Sequence, residues 1–301
     1  MNRSSLSENA AATRAQVACR AHRGTFRTRP RPPRGTAGAE PRPMTPSLAP
    51  RTPMSTSAQS HADLIRHSAY EFALTTVLLF AVVSLVRWLA FPGSSLAIGD
   101  PDTLFVVAGT VVAALIAALM YSPPGRASGG HLHPGVTVFL WTCGLFPGRA
   151  VLPYVAAQLT GSLAGTALAR VVWGKVVGQV GYGAVHPAPG TGAVELFVVE
   201  GAALAAVFVA VALVMSRPAL RGLIPAVIGL GVGVVIATLG TVTGASINPA
   251  RAFGPALLSG QYDHFWNYMI APLVAPALVG LTHRALRTRR DRSAPTAPAA
   301  A

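Results

Sequence analysis

Acidic side chains and lysines are scarce in this chain. Only 10 of its 301 residues are Asp or Glu, and a single lysine, Lys175, accompanies 23 arginines. Charged residues make up 11% against 51% hydrophobic, where an average soluble domain carries roughly 25% charged. So little charge cannot clothe a globule of this size, which argues against a soluble enzyme. The lack of an internal basic surface argues against nucleic-acid binding by the central region. Cysteine is nearly absent too. Cys19 and Cys143 cannot build a disulfide framework or, by themselves, a metal site, and Cys143, behind an apolar run, reads as a small packing residue. No catalytic residue, cofactor or metal is expected.

What charge there is lies mainly at the two ends. Residues 1–60 hold ten Arg and two acids, and residues 281–301 hold five Arg and one acid; the stretch between is nearly neutral. The Arg/Pro/Ser/Thr-rich segment 1–60 has no apolar run, reads as disordered, and lacks the apolar middle of a secretory signal. An Arg-rich organelle transit peptide is one reading. An over-extended gene start, with Met44 or Met54 as first residue, is another. A basic tail is expected over 288–301.

The middle contains six apolar stretches, at 69–91, 103–121, 151–173, 193–215, 223–242 and 265–286. Each is long enough for a helix to cross a hydrocarbon core of ~30 Å. Arg66, Arg126, Arg149, Arg217, Arg221 and the run from Arg284 to Arg292 fall in one set of connections. Asp100, Asp102, Lys175 and Asp263 fall in the other. The positive-inside rule then puts both termini in the cytoplasm.

Two shorter segments break the pattern. Ser128-Gly-Gly-His-Leu-His-Pro-Gly135 and Gly244-Ala-Ser-Ile-Asn-Pro-Ala-Arg251 each place a polar side chain before a proline, with a short apolar run behind. That arrangement predicts an N-cap and a proline at the first helical position, opening a helix about half a membrane long. One follows the second span and the other the fifth. The chain therefore divides into repeats 69–175 and 193–287 of opposite orientation, within a domain spanning 61–287. Two half-helices entering from opposite faces meet near the midplane, where irregular backbone is tolerated only beside protein or a wet cavity. The expected fold is an all-α membrane protein of six transmembrane helices and two re-entrant half-helices.

Those segments, and above all Asn248-Pro-Ala-Arg-Ala-Phe-Gly-Pro255, resemble the paired pore motifs of the aquaporin (major intrinsic protein) family. The resemblance covers residues 69–287. The first motif departs from the family pattern, with His133-Pro134-Gly135 where the second has Asn248-Pro249-Ala250. Neutral His133 can accept from backbone with one ring nitrogen and offer the other N–H to the permeant; a pH-gated pore is the rival reading. His131 matches a histidine common in the family that supports the loop. Glu71 and Glu200 occupy matching places early in each repeat. Intramembrane carboxylates suggest function by default, but their symmetry favours acceptors for the backbone N–H groups of each re-entrant loop.

The resemblance also implies a filter. Counting back from the motifs without gaps assigns it to Ala113, Ile236, Ala245 and Arg251. Arg251 would repel cations and donate to solute hydroxyls. With aliphatic residues at its first two places the opening is expected to be wider and less polar than a water-only constriction. Such a filter is similar to that of the nodulin-26-like and aquaglyceroporin side of the family. The implied function is passive passage of small uncharged solutes (glycerol, urea, boric acid or arsenite-like hydroxides) and some water, excluding protons and ions. The implied assembly is a homotetramer in the cell membrane, in contact with lipid bilayer. A channel mainly for water, an ion-coupled secondary transporter, and a pore closed at His133 remain open alternatives.

Overall fold

The computed structural model describes residues 60–293. The expectations for residues 1–59, with Cys19, Met44 and Met54, and for residues 294–301 lie outside the described residues.

Among the described residues the chain folds as a succession of helices. They are α1 (His61–Ala90), α2 (Pro101–Tyr121), α3 (Pro123–Ser128), α4 (Pro134–Thr142), α5 (Gly148–Trp173), α6 (Val176–Gln179), α7 (Ala193–Met215), α8 (Ile224–Thr243), α9 (Pro249–Ser259) and α10 (Phe265–Ser293). Six of them, α1, α2, α5, α7, α8 and α10, are long and apolar enough to cross a membrane. The half-helices α4 and α9 have 9 and 11 residues, or roughly 14–17 Å at the α-helical rise. Each begins at the proline that the sequence marks, capped by His133 and Asn248 respectively.

Two spans run past their apolar stretches. Helix α1 begins at His61 because Ser60 caps it: its hydroxyl accepts from the Asp63 amide at 3.0 Å, and Asp63 pairs with Arg66 at 2.7 Å. Helix α10 continues through the basic segment to Ser293. Apolar length sets the part of a helix that sits in lipid, whereas caps and surface charge pairs set where the helix ends.

The two halves interlock. Half-helix α4 packs against α10 of the other half, and α9 against α5. Helices α2 and α8 cross backbone to backbone. A Cβ on Gly233 would stand 2.6 Å from the Gly109 carbonyl oxygen, and one on Gly229 would stand 2.5 Å from the Ala113 carbonyl oxygen. Small residues allow this approach where lipid supplies no hydrophobic drive between helices. The outward faces are apolar: Val171, Val194 and Leu152 are each at least three-quarters exposed, the mark of a surface solvated by lipid rather than water.

Candidate functional site: two re-entrant loops and the cavity beside them

Each half-helix is held by a carboxylate from the first span of its own half. Glu71, fully buried on α1, accepts four hydrogen bonds. The Ser128 hydroxyl (2.7 Å) and the His131 amide (2.9 Å) reach Oε1, while the Leu132 amide (2.8 Å) and the Gln158 side-chain amide (2.9 Å) reach Oε2. Glu200, equally buried on α7, accepts from the Ser246 amide at 3.2 Å and the Ile247 amide at 2.6 Å. A buried carboxylate is costly unless its lone pairs are used, and here they are used to shape the loops.

That shaping has a visible cost in backbone conformation. Leu132 has φ 56° and Ile247 φ 40°, the left-handed region that bulky and β-branched residues avoid. With their amides turned to Glu71 and Glu200, the carbonyls of these two residues face the junction between the half-helices. The Leu132 carbonyl accepts from Asn248 Nδ2 at 3.2 Å, and the Ile247 carbonyl accepts from His133 Nε2 at 2.7 Å. The strain is sustained because both polar ends of the twisted peptides find partners.

Further pairs repeat the pattern. The Tyr154 hydroxyl donates to the Ser128 carbonyl at 2.8 Å, and the Tyr268 hydroxyl to the Thr243 carbonyl at 2.6 Å. Sequence reasoning missed both. Lining up the halves on Pro134 and Pro249 would have found them at nearly equal distances downstream. It also missed Ser162 on α5, whose hydroxyl donates to the Ala250 carbonyl and accepts from the Gly254 amide. His131 is buried between Phe146 and Tyr154, with Nδ1 2.9 Å from the Thr137 hydroxyl.

Beside the junction lies a cavity of about 50 Å³, room for a few waters where roughly 10–15 Å³ of such space holds one. Its lining includes Val112, Ile116, Val232 and Ile236 from the crossing pair α2 and α8, with Leu78, Leu79 and Val82 from α1. The second re-entrant loop contributes Ala245, Ser246, Asn248 and Arg251. Arg251 is anchored by Nη1 to the Gly183 carbonyl at 2.6 Å. Its remaining N–H groups can serve a guest, since guanidinium carries five donors. The half-helices point their N-termini at the junction, and their partial positive charge adds to that of Arg251.

The structure thus brings Ile236, Ala245, Asn248 and Arg251 to one cavity, and departs from the sequence expectation at two points. Ala113 is not among the lining residues; it packs at the α2–α8 crossing, where a Cβ on Gly233 would stand 2.7 Å from its Cβ. The α2 residues in the cavity are Val112 and Ile116. The count from His133 back to Ala113 runs through a helix end, the short helix α3 and a left-handed turn at Gly129 and Gly130. The second departure is His133, whose Nε2–H goes to the Ile247 carbonyl rather than to a permeant. Among the described residues no three His, Cys, Asp or Glu side chains gather to hold a metal ion.

Residues 58–283 match the family described as Major intrinsic protein. The probable aquaporin AqpM of Archaeoglobus fulgidus is 40% identical over 185 residues, covering 59% of this chain and 74% of that protein. Aquaporin TIP4-1 of Zea mays is 34% identical over 224 residues, covering 74% of this chain and 86% of its own. Among solved structures, the aquaglyceroporin from Plasmodium falciparum has a similar fold, with a TM-score of 0.62 at 23% identity. That match covers 76% of this chain and 100% of the other. The shared architecture is that of a passive multi-pass membrane channel for water and small solutes, and not of an enzyme. The chain belongs to the major intrinsic protein family, the aquaporins.

Proposed function

We propose that this protein passes small uncharged solutes such as glycerol, urea, boric acid or arsenite-like hydroxides, together with some water, while excluding protons and ions. The observation that carries this reading is the two-sided cavity. Seven aliphatic side chains from α1, α2 and α8 face Ser246, Asn248 and Arg251 of the second re-entrant loop. A solute with hydroxyls on one side and an apolar remainder on the other can hydrogen-bond to the loop without leaving buried donors unpaired. A bare cation meets the fixed charge of Arg251 and two positive helix ends.

In this reading the filter is Ile236, Ala245 and Arg251, with Val112 in the place first assigned to Ala113. His133, Pro134, Gly135, Asn248, Pro249 and Ala250 form the junction; Glu71, Glu200 and His131 support it. The channel domain is 61–287, it sits in the cell membrane with both termini cytoplasmic, and it works as a homotetramer with one pore in each protomer. The names of its relatives, probable aquaporin and aquaporin, keep a mainly water-conducting pore as the rival.

Stopped-flow shrinkage of proteoliposomes, followed by re-swelling in glycerol, urea or boric acid, tests the reading. Re-swelling faster than in empty liposomes and indifferent to ionophores supports it. Fast shrinkage without solute entry would make the protein a water channel, and uptake that requires an ion gradient would make it a transporter.

A further inference from the structure

The two caps at the junction are not equivalent. Asn248 accepts the Ala250 amide on Oδ1 at 2.9 Å and gives one Nδ2 hydrogen to the Leu132 carbonyl at 3.2 Å. A carboxamide nitrogen carries two hydrogens, so a second remains, on a residue that lines the cavity. His133 accepts the Gly135 amide on Nδ1 at 2.8 Å and faces the Ile247 carbonyl with Nε2 at 2.7 Å. An amide can only donate and a carbonyl can only accept. The partners therefore fix the neutral Nε2–H tautomer, and both ring nitrogens are fully engaged.

Position 135 is crowded from two sides. A Cβ on Gly135 would stand 2.3 Å from the Pro272 carbonyl oxygen of α10, 2.7 Å from His133 Cε1 and 3.0 Å from His133 Nδ1. In the other half Ala250 carries its Cβ fully buried, beside a cap with no ring. The His133 ring and the Pro272 carbonyl together hold position 135 to glycine.

We propose that, of the two caps at the junction, only Asn248 donates to the solute, through its second N–H. His133, paired with Gly135, is a positioning residue that ties the two re-entrant loops together through Ile247. The proposal rests on the channel reading above and narrows how the midplane recognises a solute: one cap donates, and the opposite cap is closed to hydrogen bonding.

The test exchanges the caps in pairs and reads both flux and stability. His133→Asn with Gly135→Ala keeps an acceptor for the cap and a donor for Ile247, and adds a second free N–H. Glycerol and boric acid permeability should change by roughly three- to tenfold relative to the wild type, the worth of one hydrogen bond. Asn248→His with Ala250→Gly removes the remaining donor and should lower both by a similar factor while the protein stays folded. Gly135→Ala alone should lower the Tm in detergent, and adding His133→Asn, which removes the ring but not the Pro272 contact, should recover part of the loss. Unchanged permeability in both exchanges would overturn the assignment of the donor to one cap, and a Tm that His133→Asn does not raise in the Gly135→Ala background would overturn the pairing. A wild type without solute flux would instead refute the channel reading, while the Tm series still reports on the pairing.

Discussion

The two re-entrant loops follow nearly the same path with different side chains. Both turn through left-handed residues, at Leu132 and at Ile247. Both hang from a buried glutamate, and both are braced by a tyrosine hydroxyl. Yet the first is over-determined, with Glu71 taking four donors and His131 wedged between Phe146 and Tyr154. The second has two amides on Glu200 and contributes every polar side chain that lines the cavity. One loop is built as a frame and the other as a recognition surface. The difference teaches that the repeat symmetry fixes the backbone, whereas the solute is met by the half whose side chains are left free.

The largest effect should come from breaking the frame. Glu71→Ala strands four buried donors, at 1–3 kcal/mol each, so it should cost about 4 kcal/mol or more. Glu200→Ala strands two amides and loses the Thr243 side-chain bond, and should cost less. Thermal unfolding in detergent checks the order. Equal losses would mean that the two loops are held by something other than these carboxylates.

Next comes the recognition surface. Arg251→Ala removes the fixed charge from the cavity and leaves the Gly183 carbonyl without this donor. It should admit a cation or proton leak, read with a pH-sensitive dye in proteoliposomes, and should slow hydroxylated solutes. A variant that stays cation-tight would place the barrier wholly at the helix ends.

A smaller and sharper contrast separates Val112 from its neighbour. Val112→Phe with Ile236→His should narrow the cavity and shift the solute-to-water permeability ratio several-fold toward water, with stability kept. Ala113→Phe should instead destabilise the α2–α8 crossing, where Ala113 Cβ and the Gly233 backbone touch. Selectivity changed by Ala113→Phe in a protein of normal Tm would restore the gapless count.

The smallest effect concerns the first turns of α2 and α8. Asp100 caps α2, and its bonds from the Thr103 hydroxyl and amide hold its carboxyl below the usual carboxylate range. A depressed folded pKa gives stability that is present above the unfolded pKa and lost as pH falls through the folded one. Helix α8 starts without a side-chain cap. Acid should therefore slightly raise amide exchange at the start of α2 and leave α8 unchanged, and Asp100→Asn should abolish the pH dependence.

Much of this was legible before any coordinates. Apolar length marks the six spans, and a polar residue before proline marks where α4 and α9 begin, because the cap and the ring-fixed φ act locally. The matched acids Glu71 and Glu200 pointed to the loops because a carboxylate in that setting must have donors. What escaped was of longer range. The start of α1 depends on Ser60 and Asp63, polar residues that no apolar pattern includes. Twelve residues from Asn248 back to Ile236 could be counted because most lie in one helix. The twenty from His133 to Ala113 run through α3 and its turns, which carry no period. The partner of His133 Nε2 lies 114 residues away, so the cap was readable and the fate of its second nitrogen was not.

The central claim is that the two-sided cavity conducts uncharged hydroxylated solutes passively. Its most direct test is re-swelling of wild-type proteoliposomes in an inward boric acid or glycerol gradient, with and without ionophore. The account predicts entry well above that of empty liposomes, proportional to the gradient and unaffected by ionophore. Entry at the rate of the bare bilayer, or entry that collapses when an ion gradient is dissipated, would contradict it.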